Sequence, residues 1–564
     1  MKRIILSLLA GVLLFVGCGK DDIATTTDTT SGATHGGSDT TAVDTTDYDR
    51  TVTVVFSATG EATVSGAGGN VTATVSGNDV TVRNTGNEKV MYLLSGSTSD
   101  GFFKIYSGKK QAIALNGVSI TNMRGSAINV QGLEETPNKG KRVDLVLGGS
   151  SSLADGSSYT LTPEGEDEKG VIFSEGQIVL SGSGSLSVNA TGNSGITSDD
   201  WLQFTPGVTV KVTSSAGNGV RGKDYVLVSG GTLDITVSAN GKKGISSDSL
   251  IRFEGGATTI VLTGNTVVES GDTNRSNGVK ADHVFEMNAG SLTITNSGKG
   301  GKGISCDGEG YFRGGIVDIT VTGTNFGSTN SGGGSGGRPG PGQHGSDNSV
   351  GAKGIKCDGN IEISGGKITV KATNDEGIET KGMLTVTGGE VYSQSSDDAI
   401  NSASTMTISG GYLCALSTGN DGLDANGNCY IQGGVVYAVG KTSPEVAIDA
   451  NTEGGCKLYI QGGTVIAIGG LENGAQLSQD CYQASSWTRN AWYSINVGDR
   501  TLAFKTPTTG GTKLVLSTPS EPTLKSGVTL EGGTERFGGI FLDNPQVSGG
   551  NSVTLTSYTG GGRW

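Results

Sequence analysis

Residues 354–371 read Gly354-Ile355-Lys356-Cys357-Asp358-Gly359-Asn360-Ile361-Glu362-Ile363-Ser364-Gly365-Gly366-Lys367-Ile368-Thr369-Val370-Lys371. Apolar and polar residues alternate from Ile361 to Ile363 and again from Lys367 to Lys371, the period of a strand with one buried face. Gly365-Gly366 marks a tight turn between the two runs. The phrase returns along the chain, and its aliphatic anchors are Val171, Ile196, Val220, Ile245, Val279, Ile304, Ile355, Ile378, Ile400, Leu423 and Ile448. Anchors lie 22 to 25 residues apart except for intervals of 34 and 51. In most units the glycine turn stands at a fixed offset, as Gly365 does after Ile355 and Gly410 after Ile400. A fixed period with a fixed internal offset is a repeat architecture. Short strands joined by glycine turns predict an all-β fold, a right-handed parallel β-helix with one coil per unit. Equivalent side chains should then form ladders at roughly the 4.7–4.9 Å strand spacing.

Outward from this core, the pattern sets the expected domains. The two long intervals read as insertions into a turn, and residues 324–352 are a flexible Gly-rich insert. Strand-rich but less regular sequence extends the solenoid to 49–480, and 481–564, with three of the four tryptophans, reads as a C-terminal β cap or small β module. At the other end, Lys2 and Arg3 precede the apolar run Ile4–Val16, too short to span a bilayer as a helix, so 1–17 is a signal peptide. Residues 18–48 are mostly Thr, Asp, Ser and Gly with little to bury, a disordered tether. Phe15-Val16-Gly17-Cys18 resembles the lipobox of bacterial lipoproteins, in which the cysteine is lipidated. Gly19-Lys20-Asp21-Asp22 is similar to the tag that sorts Bacteroidetes lipoproteins to the outer face of the outer membrane. The resemblance implies a lipid anchor at Cys18 and a chain facing the cell exterior.

Composition bounds the function. With 98 glycines among 564 residues and a formal charge of −14, the composition argues against a nucleic-acid partner, whose binding depends on basic patches, and against an ordinary enzyme core. Three histidines, without a Cys-x-x-Cys pair, argue against zinc and against a Ser-His-Asp triad.

Several phrases carry a family resemblance: Tyr92-Leu93-Leu94-Ser95-Gly96, Leu115-Asn116-Gly117-Val118-Ser119-Ile120, Gly354-Ile355-Lys356-Cys357-Asp358-Gly359, Asp397-Asp398-Ala399-Ile400-Asn401 and Asn420-Asp421-Gly422-Leu423-Asp424. Over roughly 52–470 the chain resembles a clostridial-type carbohydrate-binding β-helix family. The resemblance implies a pectate-lyase-like solenoid that binds cell-wall polysaccharides such as polygalacturonate and cellulose and carries Ca²⁺.

Aligned on the anchors, the position two residues before reads Lys169, Lys243, Lys302 and Lys353 in earlier units, then Glu376, Asp398 and Asp421. Neighbouring positions add Asp375, Asp397 and Asn420 before the anchor and Glu379, Asn401, Asp424 and Asp449 after it. Carboxylates stacked this closely need protonation or a cation, and hard oxygens in a turn suit Ca²⁺. A solvated acidic edge is the plain alternative. Three residues after the anchor stand Asp248, Asp307 and Asp358, expected to pair with Lys243, Lys302 and Lys353 in an ion-pair ladder. The sharper alternative is a lyase site acting on uronic-acid polymers, with Lys353 as base. Tyr430 with Tyr459, and Tyr392 with Tyr437, share outward columns and are candidates for stacking on sugar or on each other. Cys306 and Cys357 share a column, as a disulfide or as thiols. The expectation is an outer-membrane, lipid-anchored polysaccharide-binding protein stabilised by Ca²⁺. A polysaccharide lyase and a structural adhesin stalk are the alternatives.

Overall fold

The computed structural model describes residues 47–133, 142–160, 162–163, 165–327 and 350–560. The expected signal peptide, Cys18 and nearly all of the expected tether lie outside the described residues, as do 328–349 of the expected Gly-rich insert. The base of that insert is described, and Phe326 and Val350 pair across it through two backbone hydrogen bonds of 2.9 and 2.8 Å.

Each repeat contributes three strands. The anchor strands, such as Lys302–Cys306, Ile355–Cys357, Ile378–Thr380 and Ile400–Ser402, pair in parallel with Ile304, Ile355, Ile378, Ile400 and Leu423 in register. Each of these five side chains is at most 1% exposed, which contributes on the order of 2 kcal/mol apiece. Strands before the glycine turn (Ile361–Ile363, Leu384–Val386) and after it (Lys367–Ala372, Glu390–Ser395) form two further parallel ladders. Their inward residues alternate with outward ones, as the sequence pattern requires. All three ladders close around a single hydrophobic core running from Val52 to Tyr558.

Two glycine positions explain the phrase. Gly366 has φ of +79°, and its counterparts Gly315, Gly389 and Gly411 have φ of +72°, +83° and +78°, a region that side-chain-bearing residues avoid. Gly354, just before its anchor, would place a Cβ only 2.2 Å from Val370 Cγ1, so the anchor strand can approach the post-turn ladder only if that residue is glycine.

The expected class, a right-handed parallel β-helix built as a pectate-lyase-like solenoid, is corrected here. The structure is all-β and its parallel strands form a closed tube, but the ladders are not separate faces of one uniform coil. Leu250–Leu262 and Val284–Asn296 run through the turn without a break, with register shifts at Phe253–Glu254 and Glu254–Ala257. They fuse the pre-turn and post-turn ladders into one sheet of 31 strands, beside a 14-stranded sheet that contains the anchor strands. Both ends add antiparallel strands: Arg50–Phe56 pairs with Thr63–Ser65, and Leu514–Ser517 with Thr464–Ile468. The bulged turns allow the fusion, because strand pairing continues through Glu254 and Ala289 where other repeats break it.

The C-terminal region contains a separate six-stranded antiparallel sheet. It covers the outer face of the last post-turn strands, where a second apolar cluster joins Cys414, Tyr437 and Ile466 to Tyr493, Phe504 and Phe541. The outward column Thr369, Tyr392, Cys414, Tyr437, Ile466 turns apolar along this direction.

Candidate functional site

The acidic columns converge at the turn before the anchor strands. One oxygen from each of Asp375, Glu376 and Asp397 lies within 4.8 Å of the others. On the next rungs Asn401 Nδ2 donates to Asp398 at 3.2 Å and to Asp424 at 2.8 Å, and Asn420 donates to Asp397 at 3.0 Å. The Asp421 and Val446 amides donate to Asp398 and Asp421 at 3.0 and 2.5 Å. Among the described residues no Lys or Arg forms an ion pair with Asp397, Asp398, Asp421, Asp424 or Asp449. Burial, with the carboxylates of Asp424 and Asp397 nearby, pushes the Asp398 carboxyl up to about 8. Burial likewise pushes Asp421 up to about 7, beside Glu445, and Asp424 up to about 6. Asp375 and Asp449 are also raised, first by burial and then, for Asp449, by a hydrogen bond with Glu472.

This donor set fits a hard divalent cation. All the donors are oxygens, they sit in turns, and the 4.8 Å spread of the Asp375–Glu376–Asp397 group is about twice the 2.3–2.6 Å Ca²⁺–oxygen distance. Asp398, Asn401 and Asp424 would supply the adjoining donors. At the first rung an internal cation already competes. Lys353 Nζ hydrogen-bonds Glu379 at 2.7 Å and lies 2.9 Å from Glu376 and 3.5 Å from Asp375. The Glu376 approach is within ion-pair distance but outside hydrogen-bond geometry, so its Oε2 has no hydrogen-bond partner.

The expected Lys–Asp ladder is present in altered form. Lys243, Lys302 and Lys353 do not pair with Asp248, Asp307 and Asp358. Residues one past the anchor do so instead: Arg221 with Asp248 at 2.8 Å, Lys280 with Asp307 at 2.7 Å, and Lys356 with Asp358. The strand period is the reason, since positions one and three past the anchor share the outer face, whereas the position two before it lies across the turn. Lys169, at the same position two before its anchor, pairs with Asp167 at 2.8 Å and with Asp199 of the next rung at 2.7 Å, a pairing outside the expected set.

The tyrosines divide. Tyr430 and Tyr459 stack on the outside of adjacent rungs, with ring centroids 4.8 Å apart and planes 11° from parallel. Gln432 and Gln461 beside them are joined by a 3.1 Å hydrogen bond. Tyr437 is instead covered by the C-terminal sheet, 1% exposed, and donates to Lys505 O at 2.8 Å. Tyr392 packs at the border of that cluster. Cys306 and Cys357 lie in register as buried free thiols. Two features escaped the sequence reading. Trp201 and Tyr225 stack at 5.2 Å and 7°, and their 24-residue separation, one repeat, was the available signal. Glu472 reaches Asp449 from beyond the regular repeats, where the period gives no signal.

A family model described as carbohydrate-binding domain-containing protein matches residues 76–399, more than half of the chain. A protein of that description from Acetivibrio thermocellus is 32% identical over 125 residues, which are 22% of this chain and 42% of the relative. The chain thus spans about two fifths of the length of this curated relative. Among solved structures, the polysaccharide lyase-like protein from C. thermocellum, as its gadolinium derivative, is 22% identical with a TM-score of 0.37, the match covering 48% of this chain and 97% of that one.

Proposed function

The chain belongs to the carbohydrate-binding domain-containing protein family, and from that premise we propose that it binds polysaccharide along the outer faces of its rungs. The observation that carries this reading is the Tyr430–Tyr459 stack. Thr407 follows Tyr430 in the column on one side and Gln476 follows Tyr459 on the other, so each ring keeps a face that the other does not cover. Flat apolar faces with a polar edge suit sugar rings, and the Gln432 and Gln461 amides alongside supply donors and acceptors for hydroxyls. Repetition at strand spacing suits a polymer better than a single sugar.

The same reading gives Ca²⁺ to the acidic columns, supported by their all-oxygen donor set and by the absence of ion-pair partners for most of the carboxylates among the described residues. A bound cation supplies the positive charge those carboxylates lack. The chain's own part is to hold Asp398 and Asp424 together through Asn401. A lipid anchor at Cys18 and display on the outer membrane complete the reading; fatty-acid labelling lost in Cys18→Ala is the check. Lys353 gives no support to a lyase, because Glu376 and Glu379 engage it as a cation, and an ammonium has no lone pair with which to accept a proton.

The deciding experiment is co-sedimentation of the protein with cellulose and with polygalacturonate, in Ca²⁺ and in chelator, while following ultraviolet absorbance of the supernatant. Retention that is lost in Tyr430→Ala/Tyr459→Ala, without new absorbance, supports a binding protein. Retention on neither polymer in either buffer defeats the reading, and rising absorbance replaces it with a lyase.

A further inference from the structure

On the earlier rungs, the turn that precedes the anchor strands borders a cavity of about 330 Å³ whose lining carries seven Lys or Arg side chains against two Asp. Four of these cations have partners within the chain. Lys280 pairs with Asp282 and Asp307, Lys356 and Lys381 with Asp358, and Lys353 with the carboxylates described above. Lys243, Arg275 and Lys302 have no carboxylate at ion-pair distance among the described residues. Lys302 Nζ donates to Gly351 O at 3.3 Å and Lys243 Nζ to Gly241 O at 3.0 Å, both neutral acceptors.

Lys243, Asn277 and Lys302 hold the same register position on consecutive rungs, so two ammonium groups flank one amide at steps of roughly 4.8 Å. Lys302 is 3% exposed, and burial together with Arg275, Lys356 and Lys353 pushes its ammonium down to about 7. Asn277 is 1% exposed, and its Oδ1 is buried without a hydrogen-bond partner. A buried ammonium without a counter-charge and a buried acceptor without a donor are both costly, and each is relieved by a ligand of complementary chemistry.

We propose that this cavity binds a dianionic oxyanion carried by a hydroxyl-bearing ligand, the chemistry of a sugar phosphate. A dianion suits the cavity better than a lone carboxylate, because Lys243, Arg275 and Lys302 together present positive charge that a single negative charge would leave less fully compensated. Asn277 Oδ1 needs a donor, which a fully ionised oxyanion lacks and a sugar hydroxyl supplies. The volume is at the small end of ligand cavities, about 300–1,000 Å³, which suits one phosphorylated sugar rather than a polymer segment. The site uses none of the tyrosines of the polysaccharide-binding reading and stands or falls separately from it.

Calorimetry on the whole protein in chelator, at fixed ionic strength, with glucose 6-phosphate, inorganic sulfate and glucose tests the assignment. Glucose 6-phosphate should bind, sulfate about tenfold more weakly for want of a donor to Asn277, and glucose not measurably. Arg275 is exposed, so Arg275→Ala leaves packing intact and should weaken glucose 6-phosphate binding about tenfold, as should Lys302→Met. Asn277→Leu should close the gap between glucose 6-phosphate and sulfate. The proposal is overturned by glucose binding as tightly as its phosphate, by sulfate matching glucose 6-phosphate in the unaltered protein, by an Arg275→Ala protein that binds normally, or by no binding at all.

Discussion

Lys243, Asn277 and Lys302 stand on three rungs at the position that Glu376, Asp398 and Asp421 occupy on three later ones, and the two stretches are strained in opposite senses. Burial pushes Lys302 down to about 7 and Lys243 down to about 8, while it pushes Asp398 up to about 8 and Asp421 up to about 7. The backbone is alike in both, with parallel anchor strands in register. The rung therefore fixes where the side chain stands, and the residue alone fixes the sign. Neither stretch contains enough opposite charge to neutralise itself, which is why one is assigned to a cation and the other to an oxyanion. Between them, Lys353 of one rung meets Glu376 and Glu379 of the next, and there the two signs compensate.

The largest effect comes from breaking what the two stretches share. Gly354 lies between them, and a side chain there would meet Val370 Cγ1 at 2.2 Å and Gly377 O at 2.5 Å. Gly354→Val should lower stability by roughly 3 kcal/mol or more, read as a drop in the urea midpoint. A variant with an unchanged midpoint would mean that the close approach of the ladders is not what positions the charged turns.

A smaller effect separates the stretches. Asp398→Asn keeps an acceptor for the Asp421 amide but removes a carboxyl that must take up a proton or a cation when it is buried on folding. In chelator at neutral pH it should raise stability by about 1–3 kcal/mol and abolish any gain on adding Ca²⁺. Lys302→Met should stabilise by a similar margin in buffer free of phosphate and sulfate. Loss of stability in both variants would show that the charges are compensated within the chain.

The two stretches should also respond to pH with opposite signs. A carboxyl whose folded pKa is raised contributes stability below its unfolded value of about 3.9, and that contribution is lost as pH rises to the folded value. For Asp424, Asp421 and Asp398 the loss runs from about pH 4 up to about 6, 7 and 8. A lysine whose folded pKa is depressed contributes stability above its unfolded value of about 10.4, and the contribution is lost as pH falls to the folded value, about 7 for Lys302. In chelator, the pH slope between 5 and 8 should flatten in Asp398→Asn, and the slope between 8 and 10 should flatten in Lys302→Met. Urea titrations across pH measure both.

Each feature is legible in the sequence to the extent that its physics is written in residue types. Anchors, turns and outward columns were legible because period and offset are written in residue types, and the sign change at Lys353–Glu376 could be read from position alone. Partner choice was not, because the strand period puts Lys356, not Lys353, on the face of Asp358. Fusion of two ladders was hidden because Gly255-Gly256 looks like every other turn, although the strand continues through it as a bulge. The burial of Tyr437 does have a signature in the sequence. In Val435–Val439 and Thr464–Ile468 the alternation disappears and every residue is buried, the mark of strands covered on both faces.

The smallest expected effect on stability is the most informative for function. Tyr430 and Tyr459 are partly exposed and packed mainly on each other, so Tyr430→Ala removes one stacked pair and little core, about 0.5–1.5 kcal/mol. Trp201 and Tyr225 form a similar stack at 5.2 Å near the other end of the ladder, so Trp201→Ala should cost a comparable amount. If stacking were structural alone, the two variants would be interchangeable in every assay. A polysaccharide face at Tyr430–Tyr459 makes them differ, with co-sedimentation reduced about tenfold or more in Tyr430→Ala and its melting temperature nearly unchanged. Equal losses of retention in both variants would extend the binding face along the whole ladder. Equal retention would return both stacks to the role of cross-strand packing.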